Sequence, residues 1–275
     1  MDSEVKVWNK IAKKYAEEII SPFSEGVTNP IFWYLENKIG TATKEMSVID
    51  IGCGIGNFLP TLAQKFSKVV GIDFSPKMIE TATAQAKDFP NVSLFVRDGR
   101  DLHEFHNQFD VAVTVNSILL PKVKDCEKMI QEAYNLLKDG GIILGIFPAM
   151  ESHLYRALLI QEKTLDDGET EEIAIQKAKE DVGDSDLVTG LVPYEDTSIQ
   201  KNYYLFEIKH RLWKAGFTNI SVRKVYYPWE IHDEESLLAF KKKKKLWDWF
   251  VYATKQDKAT NHKEEVKEEV KKEGE

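Results

Sequence analysis

The residues able to do chemistry gather in the first half of the chain. Val48 to Phe58 reads Val-Ile-Asp-Ile-Gly-Cys-Gly-Ile-Gly-Asn-Phe, an apolar β-branched run carrying Asp50, then three alternate glycines, Gly52, Gly54 and Gly56. Glycine suits such a turn because it adopts positive φ without steric cost and, lacking Cβ, lets a ligand lie against the backbone. The G-x-G-x-G spacing alone is a weak signal. Asp73 gives it meaning, seventeen residues after Gly56 at the end of a second apolar run. A carboxylate there shares the edge on which the glycine turn lies, where its oxygens can accept from both hydroxyls of a ribose. The competing role for Asp73 is a turn or N-cap residue ahead of Ser75-Pro76. A third run ends in Arg97-Asp98-Gly99 and brings Asp98 to the same edge, suited to an exocyclic amine of adenine; its plainer role is an ordinary loop carboxylate. The fourth run ends in Asn116-Ser117-Ile118-Leu119-Leu120-Pro121, polar and then apolar, on the adjoining wall. Together these residues imply a nucleoside ligand.

Such residues converge only if the segments between them alternate strand and helix. The β-branched run Ser47 to Ile51 predicts a buried parallel strand. Helix 57–65, strand 68–72, a helix opened by Ser75-Pro76 and running to Lys87, and strand 92–96 follow from the changes in apolar period. Strand 110–115, helix 125–137 ended by Gly140-Gly141, and strand 142–147 extend the alternation. Ahead of this unit, residues 1–45 predict a helical cover: an amphipathic helix from Val5 to Ile20, then a helix from Pro30 to Ile39 with Asn29 as N-cap and Gly40 beyond its end. After Pro148 the alternation stops, and the acidic stretch 148–200 reads as an inserted lid with helices near 154–165 and 171–181. A helix 203–214 leads through Ala215-Gly216-Phe217 to a strand 219–225, a short helix 234–240 follows, and Trp247 to Tyr252 reads as the final strand. The main α/β unit is thus 46–255, and the Lys/Glu-rich tail 256–275 lacks the apolar residues to order itself.

In order and spacing these four segments resemble the class I S-adenosylmethionine-dependent methyltransferases, especially the small-molecule branch. The resemblance covers Trp8 to Phe147 together with Ala215-Gly216-Phe217 and the Trp247–Tyr252 strand. It implies a doubly wound α/β fold: a seven-stranded sheet, mostly parallel with an antiparallel last strand, and helices on both faces. It implies S-adenosylmethionine as cofactor, with Asp50 and the glycine turn at the methionine end, Asp73 on the ribose, Phe74 and Met78 on the adenine faces, and Asp98 with Gly99 at the adenine edge. Tyr15, in the segment Trp8 to Tyr15, would approach the methionine portion, although core packing accounts for a helix-face aromatic equally well. Asn116 would stand where methyl donor meets acceptor. The segment Asn116-Ser117-Ile118 departs from the Asn/Asp-Pro-Pro-aromatic signature of exocyclic-amine methylation in nucleic acids, and two cysteines are too few for arsenite methylation.

The composition narrows the partners. A net charge of −8 disfavours a nucleic-acid substrate, whose binding rests on phosphate neutralisation. The one basic block, Lys241 to Lys245, reads as a solvated face. No apolar run approaches the ~18–20 residues of a membrane span, and the acidic N-terminus lacks the order of a secretory signal, so a cytoplasmic location without membrane attachment is expected. Cys53 and Cys126 make neither a disulfide framework nor a metal site. A small-molecule acceptor is expected, selected by the N-terminal helices, the lid and Tyr226 to Trp229. Phe32, Trp33, Tyr34 and Trp229 are candidates for an aromatic wall, and the acidic lid favours a neutral or cationic acceptor. No general base is assigned: His153, Tyr155 and His232 are the candidates, and each is more simply a surface or lid residue. Three other readings stand beside this one. A nicotinamide-dependent oxidoreductase needs G-x-G-x-x-G, whereas Asn57-Phe58 follows Gly56 here. A protein methyltransferase would dock a basic peptide on the acidic lid. A silent binding partner would hold the cofactor without turnover.

Overall fold

The computed structural model describes residues 2–12, 22–194, 198–228, 240 and 244–256. Seven strands form one sheet in the order β3-β2-β1-β4-β5-β9-β8: β1 (Ser47–Ile51), β2 (Lys68–Asp73), β3 (Val92–Val96), β4 (Phe109–Val115), β5 (Leu137–Pro148), β8 (Phe217–Tyr226) and β9 (Trp247–Lys255). Strands β1 to β5 pair in parallel, and β9 is antiparallel to both its neighbours, β5 and β8. The expected sheet, with its last strand antiparallel and inserted beside the edge, is the one observed. Every residue of β1 is buried, as a central strand covered on both faces requires.

Helices cover both faces. On one, α5 (Val123–Leu136) and α8 (Leu205–Lys214) place Met129, Ile130, Ala133, Leu136, Ile208 and Leu212 against Ile49, Ile51 and Ile143 of the sheet. On the other, α2 (Pro30–Tyr34), α3 (Leu59–Lys65) and α4 (Pro76–Ala86) bury Ile31, Tyr34, Leu59, Leu62, Ala82 and Ala86 over Val48, Val113 and Phe250. Two N-caps form as the sequence predicts. Asn29 accepts from the Ile31 N–H at 2.9 Å, and Ser75 accepts from the Met78 N–H at 3.2 Å.

Several boundaries move. The first helix, α1, is described as Asp2–Ile11, and the rest of the predicted span lies outside the described residues. The second does not stay α-helical to Ile39: after Tyr34 the coil widens to a π turn over Leu35–Ile39 and tightens to a 3-10 turn over Gly40–Glu45. Helix α5 stops at Leu136, four residues before Gly140, because the fully buried Leu137 already pairs with Phe109 at the start of β5. The lid contains the two predicted helices, α6 (Met150–Asp166) and α7 (Glu171–Val182), and also a hairpin the sequence did not announce, β6 (Leu191–Pro193) with β7 (Ile199–Lys201). The predicted helix 234–240, apart from Phe240, and the tail from 257 onward lie outside the described residues. Among the described residues no helix is long and apolar enough to cross a membrane, and no cluster of metal-ligating side chains occurs.

Candidate cofactor and acceptor site

The strand order reverses between β1 and β4, and the loops leaving their carboxyl ends part there, which is where open α/β sheets hold ligands. A cleft of about 270 Å³ opens at this point. Its walls include Gly52, Gly54, Ile72, Asp73, Phe74, Met78, Gly99 and Asn116, so seven of the expected site residues meet at one place, together with Ile72. Asp50 lies beneath them and Gly56 behind them. Tyr15 lies outside the described residues.

The three glycines have different jobs. All take positive φ, at 72°, 55° and 89°. A Cβ on Gly52 would stand 2.3 Å from Ser117 Cβ, and one on Gly56 would stand 3.1 Å from the Ala82 backbone of α4. Gly52 therefore lets the β1 and β4 loops close on each other, and Gly56 lets α4 pack onto the turn. The Gly54 N–H points to Asp73, donating to Oδ2 at 3.1 Å. Asp73 Oδ1 accepts from the Ser75 N–H at 2.8 Å. The turn role of Asp73 leaves each carboxylate oxygen a further lone pair.

Burial raises Asp73 to about 6, against the lowering effect of its two backbone hydrogen bonds. Asp50 is raised further, to about 7, first by burial and then by the neighbouring Asp73 charge. Among the described residues nothing pairs with the Asp50 carboxylate. Two buried acids side by side, one without a counter-charge, make an environment that favours a cation.

Asp98 does not serve the cleft as expected. Its oxygens are held by the Arg100 guanidinium at 2.7–3.1 Å, and Arg100 also reaches Asp125 at 2.6 Å. Burial pushes Asp98 up, but the Arg100 bonds outweigh it and hold the carboxyl below its usual value. Arg97 and Gly99 line the cleft from this loop, and a Cβ on Gly99 would meet Met129 Cε at 2.6 Å.

The aromatic wall also needs correction. Phe32 packs against Phe23 and Phe58, and Tyr34 against Phe250 and Tyr252, and neither lines the cleft. Trp33 is exposed under the Arg223 guanidinium. Trp229 and His232 lie outside the described residues. His153 bonds Ser185 at 3.2 Å, with burial the first cause lowering its pKa, and Tyr155 packs on Trp247; neither lines the cleft.

Three segments that the sequence placed at the mouth contribute residues it did not single out. Helix α1 supplies Glu4 and Trp8 to the wall, and its Asn9 Oδ1 accepts from Ser75 Oγ at 2.7 Å, fastening α1 to the start of α4. The unannounced hairpin contributes Ser198, Ile199 and Gln200 as a roof. That roof is tied to the β4 loop: the Lys201 N–H donates to Leu119 O at 3.1 Å, and Tyr203 Oη donates to Ile118 O at 2.7 Å. The loop's Leu119, Leu120 and Pro121, with Met129, complete an apolar surface opposite Asp73. Polarity in the window around Ser198 hid this role, because roofing depends on a backbone contact with Leu119 rather than on side-chain type.

Comparison with known proteins agrees with this geometry. Residues 48–141 match the model of a methyltransferase domain family. Malonyl-[acyl-carrier protein] O-methyltransferase 1 of Ilyobacter polytropus is 27% identical over 134 residues, 48% of each chain. Demethylmenaquinone methyltransferase of Tropheryma whipplei is 28% identical over 144 residues, 50% of this chain and 55% of the relative. The chain therefore spans about half the length of the curated relatives it matches. A solved S-adenosylmethionine-dependent methyltransferase from Methanosarcina mazei shares the fold, with a TM-score of 0.56 and 18% identity over 84% of this chain and 99% of that one. Residues 48–141 are thus similar to a methyltransferase domain, and the fold around them is that of the solved S-adenosylmethionine-dependent methyltransferase.

Proposed function

We propose that the protein transfers a methyl group from S-adenosylmethionine to a small-molecule acceptor. The observation that carries this reading is the acid pair at the glycine turn, Asp73 lining the cleft with lone pairs for ribose hydroxyls and Asp50 buried beside it without a counter-charge among the described residues. An apolar wall from Ile72, Phe74 and Met78 beside them suits a planar base. These features fit a cationic nucleoside, and an uncharged dinucleotide end would leave Asp50 uncompensated. When bound, S-adenosylmethionine supplies a methyl group already activated by its sulfonium.

The chain's own task is then to align an acceptor lone pair with the carbon–sulfur bond and keep water out. Gly52, Gly54 and Asp73 fix the donor side. The hairpin strand Ser198 to Gln200 closes the roof, and its attachment to Leu119 and Lys201 makes that roof part of the β4 loop. A roofed cleft supports a small acceptor over a docked peptide. The two relatives act, by their names, on malonyl-acyl-carrier protein and on demethylmenaquinone, a carrier-bound acid and a quinone.

Calorimetry with S-adenosylmethionine and its demethylated product tests the first half: binding is expected for both, and no heat at millimolar concentration would end the reading. Methyl-labelled donor added with a cell extract separated by size tests the second. Label is expected in the low-mass fraction, and label confined to proteins would replace the small acceptor with a polypeptide.

A further inference from the structure

Helix α8 turns Ile208 and Leu212 inward onto the sheet, and a helix packed in this way ordinarily offers solvent a polar back. Here the back is aromatic. Phe206 and Trp213, 71% and 66% exposed, stand two turns apart on one stripe with the exposed His210 between them. Phe206 stacks on Tyr204 with ring centroids 5.3 Å apart, and the Tyr204 hydroxyl donates to Leu187 O at 2.8 Å, so the stripe runs on into the lid turn, where Leu187 and Val188 are also exposed. At the other end Trp213 leans on His210, with centroids 5.9 Å apart. A single exposed apolar residue means little, whereas a contiguous group marks a surface that binds. Taking roughly 150–250 Å² for an aromatic side chain and somewhat less for an aliphatic one, these residues present on the order of 500 Å² of apolar surface.

Shape and charge both indicate what covers the stripe. Its two large side chains sit at its two ends, so a second copy of α8 laid antiparallel sets Phe206 of each chain against Trp213 of the other, with His210 near the axis between them. A two-fold interface demands such reciprocal pairing. Charge is arranged in the same order. The lid turn at the Phe206 end carries the exposed acids Asp184 and Asp186, and the half of α8 toward Trp213 carries the exposed bases Lys209 and Lys214. Antiparallel pairing therefore brings the acidic end to the basic end and opposes the two helix dipoles. Two such patches face to face remove about 1,000 Å² from water before any polar rim is counted, which meets the lower bound of a specific interface and belongs to a weak one. We propose that this stripe is the contact through which two copies of the chain associate, α8 against α8 in antiparallel order across a two-fold axis.

Sedimentation equilibrium of the full chain, from about 1 to 500 µM, tests the contact: a monomer–dimer equilibrium is expected, with a dissociation constant on the order of 10 µM for an interface of this size. Phe206→Ser and Trp213→Ser should each raise that constant at least about tenfold. Both side chains are exposed, so far-UV circular dichroism and the melting temperature at low concentration should stay those of the parent. The antiparallel order has its own test. Phe206→Glu and Trp213→Lys should each abolish association, and the double variant should regain part of it, because each new acid then faces a new base on the other copy. A chain that stays monomeric at about 500 µM overturns the proposal. So does a dimer that persists in Phe206→Ser and Trp213→Ser, which would move the contact to another face, such as the edge of the sheet at β8. A double charge variant that regains nothing overturns the antiparallel order.

Discussion

Two groups of buried charges sit within one fold and are handled in opposite ways. Under the lid, Lys201 is fully buried, yet its ammonium meets Glu207 at 2.7 Å and Asn202 O at 2.6 Å; Glu207 also takes Arg211, which continues to Glu127. At the glycine turn Asp50 has no such partner among the described residues and stands beside a second acid. Buried ions normally neutralise or pair. A complete network therefore marks scaffold, holding the roof to the sheet, and an incomplete one marks the place where the missing charge arrives as ligand. The pKa directions follow the same division. Burial lowers Lys201, with Glu207 pulling it back, whereas Asp50 rises to about 7 with nothing opposing.

Breaking the complete network should produce the largest effect. Glu207→Ala leaves Lys201 buried with the Asn202 carbonyl and the Tyr203 ring but no counter-charge, and takes one of two acids from Arg211. A loss of about 3–5 kcal/mol in unfolding free energy is expected by urea denaturation. A loss below about 1 kcal/mol would mean that the network is not what secures the lid.

In the incomplete network the cost should appear in binding. Asp73→Ala strands two ribose hydroxyls in a largely closed cleft, worth about 1–3 kcal/mol, or roughly five- to 140-fold in the dissociation constant of S-adenosylhomocysteine. Unchanged affinity would return Asp73 to a turn residue serving only Gly54 and Ser75.

The unpaired acid also predicts the sign of a pH effect. Asp50 ionises at 3.8 in its ordinary state and at about 7 when folded, so in that window the folded protein holds a proton that the unfolded chain has released. Stability from this group is complete below 3.8 and is lost as pH rises through about 7, with a slope approaching about 1.4 kcal/mol per pH unit. Asp73 and Asp248, both raised to about 6, add to the lower part of the window. Asp50→Asn should flatten the upper part, between about pH 6 and 7, in thermal melts of the ligand-free protein. A melt that rises with pH there in the parent chain would contradict an uncompensated acid.

How far the sequence reaches differs between the same two regions. The strands Ser47–Ile51 and Val92–Val96 fall on their predicted limits, because burial on both faces or a tight turn at each end leaves a pattern within five residues. The glycine turn and Asp73 were legible because strand, turn and acid are neighbours along the chain. The acceptor side was not. Asn116 meets Asp248 across 132 positions, and only the antiparallel insertion of β9 brings them together. Asp98 misled for the converse reason: its place at the sheet edge was right, but Arg100, two residues on, claims both of its oxygens. Phe32 and Tyr34 were read by type, and type does not say which face of a helix meets the sheet.

The smallest effect concerns how the N-terminal cover is coupled to the cofactor half. Ser75 is fully buried; its Oγ accepts the Met78 N–H and donates to Asn9 Oδ1, which also accepts the Lys77 N–H at 3.3 Å. One hydroxyl thus caps α4 and holds α1, whose Trp8 packs with Ile55 and Met78. Ser75→Ala should cost about 1 kcal/mol as a lost cap. If the hydroxyl also fastens α1, then Asn9→Ala and Ser75→Ala will not add, and a double-mutant cycle on thermal stability should show a coupling of at least about 0.5 kcal/mol. Additive losses would reduce Ser75 to an ordinary N-cap and leave α1 held by its apolar contacts alone. Because Glu4 and Trp8 of α1 line the cleft, a coupled pair should also weaken S-adenosylhomocysteine binding in Asn9→Ala, far from any carboxylate, by a factor smaller than that of Asp73→Ala.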